Sequence, residues 1–205
     1  MSAQINRLPK HINETQRRIL AVAAKLFSEH GYSQVSIRQI VSTCGITPAA
    51  LYYYFPDKSS LYRETLTHVF AEKISPVADI IDKADSTKSK LRSVLIWYAT
   101  LMSTDRIFSR LLHREMLDGD ETRIASITAL VFQQPFLQIA ELVSILAPKS
   151  DAERLTISIF CVILGHFEME SIQQYMLDDA TPLPSPEGIA EHALSFVLLT
   201  AAEAE

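Results

Sequence analysis

The sequence predicts an all-α protein in two parts, a small N-terminal helix-turn-helix domain and a larger helical body. Three observations lead there. The 205 residues are 48% apolar with only five glycines, and long amphipathic stretches outnumber alternating β-branched runs. The charge is split: residues 1–73 hold nine Lys and Arg against five Asp and Glu, whereas the remainder hold ten against nineteen. Finally, two short helical segments near the N-terminus are joined by a tight glycine-containing turn. The expected boundaries are a basic arm over residues 1–12, the helix-turn-helix domain over 13–75 and the body over 76–205.

The arm carries Arg7, Lys10 and His11. It reads equally as a solvated terminus and as a segment reaching into a minor groove. The first helix starts at Asn13 or Thr15, with Ile19, Ala23, Leu26 and Phe27 on one apolar stripe and Gly31 as terminator. Ser36 and Gln39 form a capping box for a second helix, with Ile37, Ile40 and Val41 on its apolar face and Gly45 as its stop. Thr47 caps a third helix. Pro48 stands at its first position, where a missing N–H costs nothing. Asp57 caps a fourth, which runs through Leu61, Leu66 and Phe70 to about Ser75.

The third helix contains the run Tyr52-Tyr53-Tyr54-Phe55. Four consecutive aromatics point all around a helix, so some must face away from the core. Leu51 and Phe55, four apart, are expected inside; Tyr52, Tyr53 and Tyr54 are left on or near the outer face. A phenol can hydrogen-bond a phosphate oxygen while its ring packs on sugar or a thymine methyl. Lys58 follows as a point charge for phosphate. The bland alternative, local packing of a helical hairpin, accounts less well for cap, turn and lysine together.

The stretch LFSEHGYSQVSIRQIVSTCGITPAALYYYFPDKSSLYRETL resembles the DNA-binding domain of TetR/AcrR-family transcriptional regulators. The matching residues are Phe27, Gly31-Tyr32, Val35-Ser36, Ile40, Gly45-Ile46-Thr47, Leu51-Tyr52, Phe55, Lys58 and Leu61, within about residues 13–66. Cys44 stands where alanine is usual and Tyr54 where histidine is frequent. By this resemblance Ser36, Thr47, Tyr52, Tyr53 and Lys58 match positions that touch the sugar-phosphate backbone. Arg38, Ala49 and Tyr53 match positions that read bases. Arginine also suits the two acceptors of guanine, which independently favours Arg38 for direct readout; an ordinary exposed arginine is the competing reading.

The body is expected to place helices over about 76–84, 87–103, 105–117, 120–146, 151–177 and 186–202, with TPLPSP as a loop. Pro135 either kinks or splits its segment. ISIFCVILGHFEMESIQQYM is apolar around most of its circumference, which calls for burial on more than one side. The resemblance implies that the second covering surface is another copy of the chain, packed through the last two long helices. Gly165 would then permit a close helix approach.

The resemblance also implies that the body senses a small molecule. Candidate lining residues, chosen by size and helix position, are Trp97, Tyr98, Met102, Phe108, His113, Met116, Phe132, Phe136 and Phe167. For any one of them, ordinary core packing is the competing reading. Cys161 reads as a plain buried thiol.

A net charge of −5 argues against a general polyanion binder. Cys44 and Cys161 fit no metal spacing and read as reduced thiols. The first residues lack an apolar signal core, and apolar stretches are expected to be interrupted short of a membrane span. His113 with Glu115, and His166 with Glu168 and Glu170, lack the companion motifs of a zinc deaminase or a di-iron bundle. The expectation is a cytoplasmic, nucleoid-associated homodimeric regulator, without enzymatic activity or cofactor. It would bind a palindromic double-stranded operator and respond, as a repressor, to an unknown small-molecule effector. The rivals are a regulator whose body binds a protein partner and an all-helical metal-dependent enzyme.

Overall fold

A computed structural model describes residues 12–118, 120–176 and 184–202. The basic arm, with Arg7, Lys10 and His11, lies outside them, as does the first half of the TPLPSP loop. Every described element is helical. The packing separates two compact units, one of residues up to 74 together with 106–132, the other of 75–105 together with 133–205. This differs from a single boundary after residue 75. Residues 106–132 pack with the N-terminal helices, a return that helical periodicity cannot reveal.

In the first unit, α1 (Glu14–Gln34) opens with the Asn13 side chain accepting the Gln16 N–H at 2.8 Å. Gly31 interrupts it with φ +79° and ψ 165°, and the chain resumes one more turn to Gln34. In α2 (Ile37–Cys44), Ser36 and Gln39 form the expected reciprocal cap. Gly45 closes it in the left-handed region: its N–H donates to Ser42 and that of Ile46 to Val41, at 3.2 and 3.0 Å. α3 (Pro48–Tyr54) is capped by Thr47, whose Oγ1 accepts the Ala50 N–H. α4 (Lys58–Ile74) begins after Asp57, which accepts the Ser60 N–H at 2.7 Å.

The core of this unit joins Ile19, Leu20, Ala23 and Phe27 of α1 to Ile40, Leu51, Phe55, Leu61, Leu66 and Phe70, all essentially inaccessible to solvent. Full burial of a side chain such as Leu51 contributes about 1.5–3 kcal/mol. α7 (Arg106–Asp118) packs on α1 and α4 and adds Phe108 and Leu111. α8 (Glu121–Ile127) and a π-helical turn (Thr128–Phe132) complete the unit against α4.

The second unit contains α5 (Val77–Asp82), α6 (Thr87–Thr104), α9 (Gln133–Leu146), α10 (Ala152–Glu168), α11 (Glu170–Met176) and α12 (Pro186–Ala202). α6 is central, packed on α12, α9, α10 and α5 through Leu91, Val94, Leu95, Ala99 and Met102. Pro135 sits in the first turn of α9, directly after the π turn. The wider i→i+5 spacing accommodates the missing N–H, so the proline does not split the helix.

Two expectations change here. The segment Glu121–Leu146 is 26 residues of continuous helix, long and apolar enough by composition to cross a membrane, rather than being interrupted. Part of its apolarity serves packing: Ile139, Ala140, Leu142 and Val143 are buried, and α9 packs on α6 and α10. The expected single helix over 151–177 is broken at Met169, whose φ of −93° and ψ of 1° lie outside the α region.

Candidate nucleic-acid interface

α2 and α3 are short, and their local bonds fix them before any long-range contact is counted. Buried Ile40, Val41, Leu51 and Phe55 set the faces they turn inward. After Pro48 at its start, the exposed residues of α3 are Ala49, Tyr52 and Tyr53, at i, i+3 and i+4, and therefore side by side on one helical face. Tyr53 is 83% exposed and Tyr52 49%, unusual for aromatic residues beside a complete core. Arg38 is exposed in the first turn of α2.

The third tyrosine is more engaged than the other two. Tyr54 is half-buried, its hydroxyl accepts from Asn13 Nδ2 at 3.3 Å, and its ring meets the edge of Tyr53 at 5.0 Å. It ties the end of α3 to the start of α1 and steadies Tyr53. The two capping hydroxyls also differ. Ser36 Oγ donates to Gln39 Oε1 at 3.0 Å, whereas Thr47 Oγ1 accepts the Ala50 N–H and keeps its own proton for an acceptor.

Lys58 does not hang free. Its ammonium lies 4.3 Å from the centroid of the Tyr32 ring, a cation–π contact, and partial burial pulls its pKa down. Tyr32 in turn lies 4.9 Å from Tyr62, which meets Phe27 edge-on at 4.8 Å. Lys58 is thus a cation on an aromatic platform rooted in the core. Asp57 beside it is held below the usual carboxylate range, first by the Ser60 N–H. It is a helix cap rather than a competitor for protons.

Behind this face lies a buried polar cluster that the sequence reading did not foresee. Tyr62 donates its phenol proton to Glu115 Oε1 at 2.7 Å, and Arg123 Nε donates to Glu115 Oε2 at 2.6 Å. The Arg123 guanidinium also lies 5.1 Å from the Tyr62 ring centroid. Burial would lower the Arg123 pKa, but the Glu115 hydrogen bond and charge outweigh it, so the net shift is upward. No linear motif marks these three residues as neighbours.

Glu115 also lines a cavity of about 180 Å³ with Phe70, Leu112, Met116, Ile124, Ile127, Thr128 and Phe132, all within the first unit. Of the nine candidate lining residues, Met116 and Phe132 stand at it. Phe108 is fully buried under Phe70, ring centroids 5.4 Å apart, and His113 is half-buried on α7. Trp97, Tyr98, Met102, Phe136 and Phe167 belong to the second unit. There Tyr98 and Met102 are buried, and burial above all pushes the Tyr98 phenol well above its usual range.

Residues 19–65 match the family model described as bacterial regulatory proteins of the tetR family. Over this N-terminal stretch the chain is similar to regulators of the TetR family. Among relatives, the chain is 31% identical over 84 residues to an uncharacterised HTH-type transcriptional regulator of Bacillus subtilis. That match spans 41% of the chain and 29% of the relative. It is 45% identical over 51 residues to the HTH-type transcriptional regulator AcrR of Shigella flexneri, 25% of the chain and 24% of the relative. The chain therefore spans less than a third of the length of these relatives. Its fold is similar to that of the transcriptional regulator FadR from Bacillus subtilis, solved in complex with stearoyl-CoA. The TM-score is 0.72 at 16% identity, covering 90% of this chain and 98% of that one.

The remaining expected sites resolve as follows. Cys44 is buried, and its thiol is pushed up by that burial. Cys161, expected to be buried, is exposed, because the side of α10 that carries it is not covered within the single chain. Nothing approaches Gly165 within 4 Å of where a Cβ would stand, so its expected close contact is not made within the chain. His166 meets His192 edge-on at 5.9 Å and Gln173 Nε2 at 3.4 Å. Among the described residues, no group of three or more His, Cys, Asp or Glu is placed to hold a metal ion.

Proposed function

We propose that this protein is a cytoplasmic, nucleoid-associated transcriptional repressor that binds a palindromic operator as a homodimer and releases it when a small molecule binds. The observation that carries the DNA-binding part is the outward face of α3. Ala49, Tyr52 and Tyr53 are exposed together there, while Leu51 and Phe55 of the same helix are completely buried. A helix so anchored presents phenols and a small residue to a groove without loosening its own packing. Arg38 supplies a bidentate donor for guanine, and Thr47 and Lys58 supply phosphate contacts from the flanks; Ser36 joins them only by exchanging its bonds to Gln39 for a phosphate oxygen. Tyr54 steadies its neighbour from behind.

Exposed apolar residues of α10 and α12 support the homodimer. Ile157 (53% exposed), Phe196 (41%) and Leu199 (61%) are apolar and uncovered in the single chain, and the open side of Gly165 adds room for a neighbouring helix. A two-fold pair would set two copies of α3 into successive major grooves about 34–36 Å apart.

The test is selection of bound fragments from a random duplex pool, followed by affinity measurements over a range of salt. An inverted-repeat consensus and an affinity that falls steeply with salt are expected. Binding to no duplex at any salt concentration would refute the reading.

A further inference from the structure

The cavity beside Glu115 in the first unit has a mostly apolar wall with two polar residues, Glu115 and the exposed Thr128. Phe70, Phe132, Ile127 and Met116 make it apolar, and the Glu115 carboxylate enters from α7. At about 180 Å³ it slightly exceeds a cavity of about 150 Å³ that accepts benzene when lined by similar residues. A single ring with one substituent matches that volume, on a side that opens to solvent past Met116 and Thr128. Phe70 and Phe132, with ring centroids 5.4 Å apart, favour an aromatic guest through edge and offset contacts, and Met116 adds a thioether at its rim.

The charge of Glu115 is already spoken for. Arg123 holds one oxygen at 2.6 Å and the Tyr62 phenol the other at 2.7 Å. A cationic guest would compete with Arg123 for a carboxylate that it already neutralises, an anionic one would face that carboxylate, and each would lose hydration against a largely apolar wall. A carboxylate has about four lone-pair sites, and two are in use here. About two acceptor positions therefore remain, enough for a neutral donor. The same carboxylate is hydrogen-bonded to Tyr62, whose ring touches Tyr32, the platform under Lys58.

We propose that this cavity is the effector site and that its ligand class is a neutral, single-ring phenol whose hydroxyl donates to Glu115. The effector role rests on the reading of the chain as a DNA-binding regulator; the binding itself does not.

The experiment uses the full chain and three probes, phenol, toluene and phenyltrimethylammonium, in calorimetric titrations. Each probe is then added to the protein on its selected operator. Phenol is expected to bind once per chain, at least about tenfold more tightly than toluene, because toluene lacks the hydrogen bond to a charged acceptor. Thr128→Trp, at an exposed wall position, should abolish phenol binding with the fold intact. Glu115→Gln should reduce the preference for phenol over toluene, and Thr128→Trp decides the matter if that variant does not fold. Equal binding of phenol and toluene, tighter binding of the cation, no binding of phenol, or undiminished binding by Thr128→Trp overturns the site. Phenol that binds as expected but leaves operator affinity unchanged overturns the effector role alone. Phenol binding without affinity for any duplex overturns the regulator reading and leaves the cavity's ligand standing.

Discussion

Arg114 occupies the space that a side chain on Gly31 would need. Its Nη1 lies 2.7 Å from the position of a Cβ there, and its guanidinium donates to the carbonyls of Ser28 and Glu29 at 3.4 and 3.3 Å. A cation from α7 thus closes the carbonyl end of the first run of α1, where the helix dipole favours positive charge. Gly31 has φ +79° and ψ 165°, a region that L-residues scarcely enter. Its need for glycine is conformational first and spatial second, since Arg114 is a flexible side chain.

Gly31→Ala is accordingly expected to destabilise the protein by about 1–3 kcal/mol, the cost of forcing an L-residue into that region. Urea denaturation should show a lower midpoint. An additional Arg114→Ala change should recover little, because the strain stays in the backbone. Full recovery would mean that the clash with Arg114 is the whole cost.

Phe55→Ala should cost about 3–5 kcal/mol, as for other fully buried aromatics. Tyr53→Ala, at an exposed position of the same helix, should stay within about 0.5 kcal/mol of the parent. The pair separates packing from contact. Tyr53→Ala should weaken operator binding in an anisotropy titration while the thermal midpoint holds.

Lys58→Ala should lower operator affinity similarly across sequences and reduce the slope of log affinity against log salt by about 1, the signature of one lost phosphate contact. Arg38→Ala should instead relax preference at one base pair, costing about 1–3 kcal/mol of discrimination there. Repeating the fragment selection with each variant tells the two apart. An unchanged consensus with Arg38→Ala would move that residue from reading to positioning.

Ile157→Glu combined with Leu199→Glu should yield monomers in sedimentation experiments with helical content retained. Both side chains are exposed in the single chain, so the charges meet water unless a second chain covers them. A dimer that survives both changes would place the two-fold contact elsewhere.

His166 gives a pH dependence of known sign. Partial burial first, and the neighbouring His192 second, depress its pKa below the ordinary 6.5. The unfolded chain therefore binds the proton more readily than the folded one. The contribution is intact above 6.5 and is lost as pH falls from there through the folded value. In His166→Gln, this part of the acid destabilisation in a urea series should disappear.

Much of the N-terminal architecture was legible in the sequence because it is decided within a few residues. Ser36 with Gln39, Thr47 before Pro48, and Asp57 before α4 are local hydrogen-bond choices, and all appear in the structure where the spacing puts them. The faces of α3 followed as well, since Leu51 and Phe55 are one helical turn apart. Less was legible in the body. Met169 ends α10 without proline or glycine to announce it, and the π turn before Pro135 has no sequence signature of its own.

By itself, the order of residues determined the N-terminal helices, their caps and the aromatic face of α3, because a cap or a helical stripe involves atoms no more than about a turn apart. Tertiary packing alone decided that 106–132 folds back onto the N-terminal helices, and that Tyr62 meets Glu115 across 53 positions of chain. Periodicity tells a helix which side to bury but not against which partner. The cavity beside Glu115 exists only once that partner has been chosen.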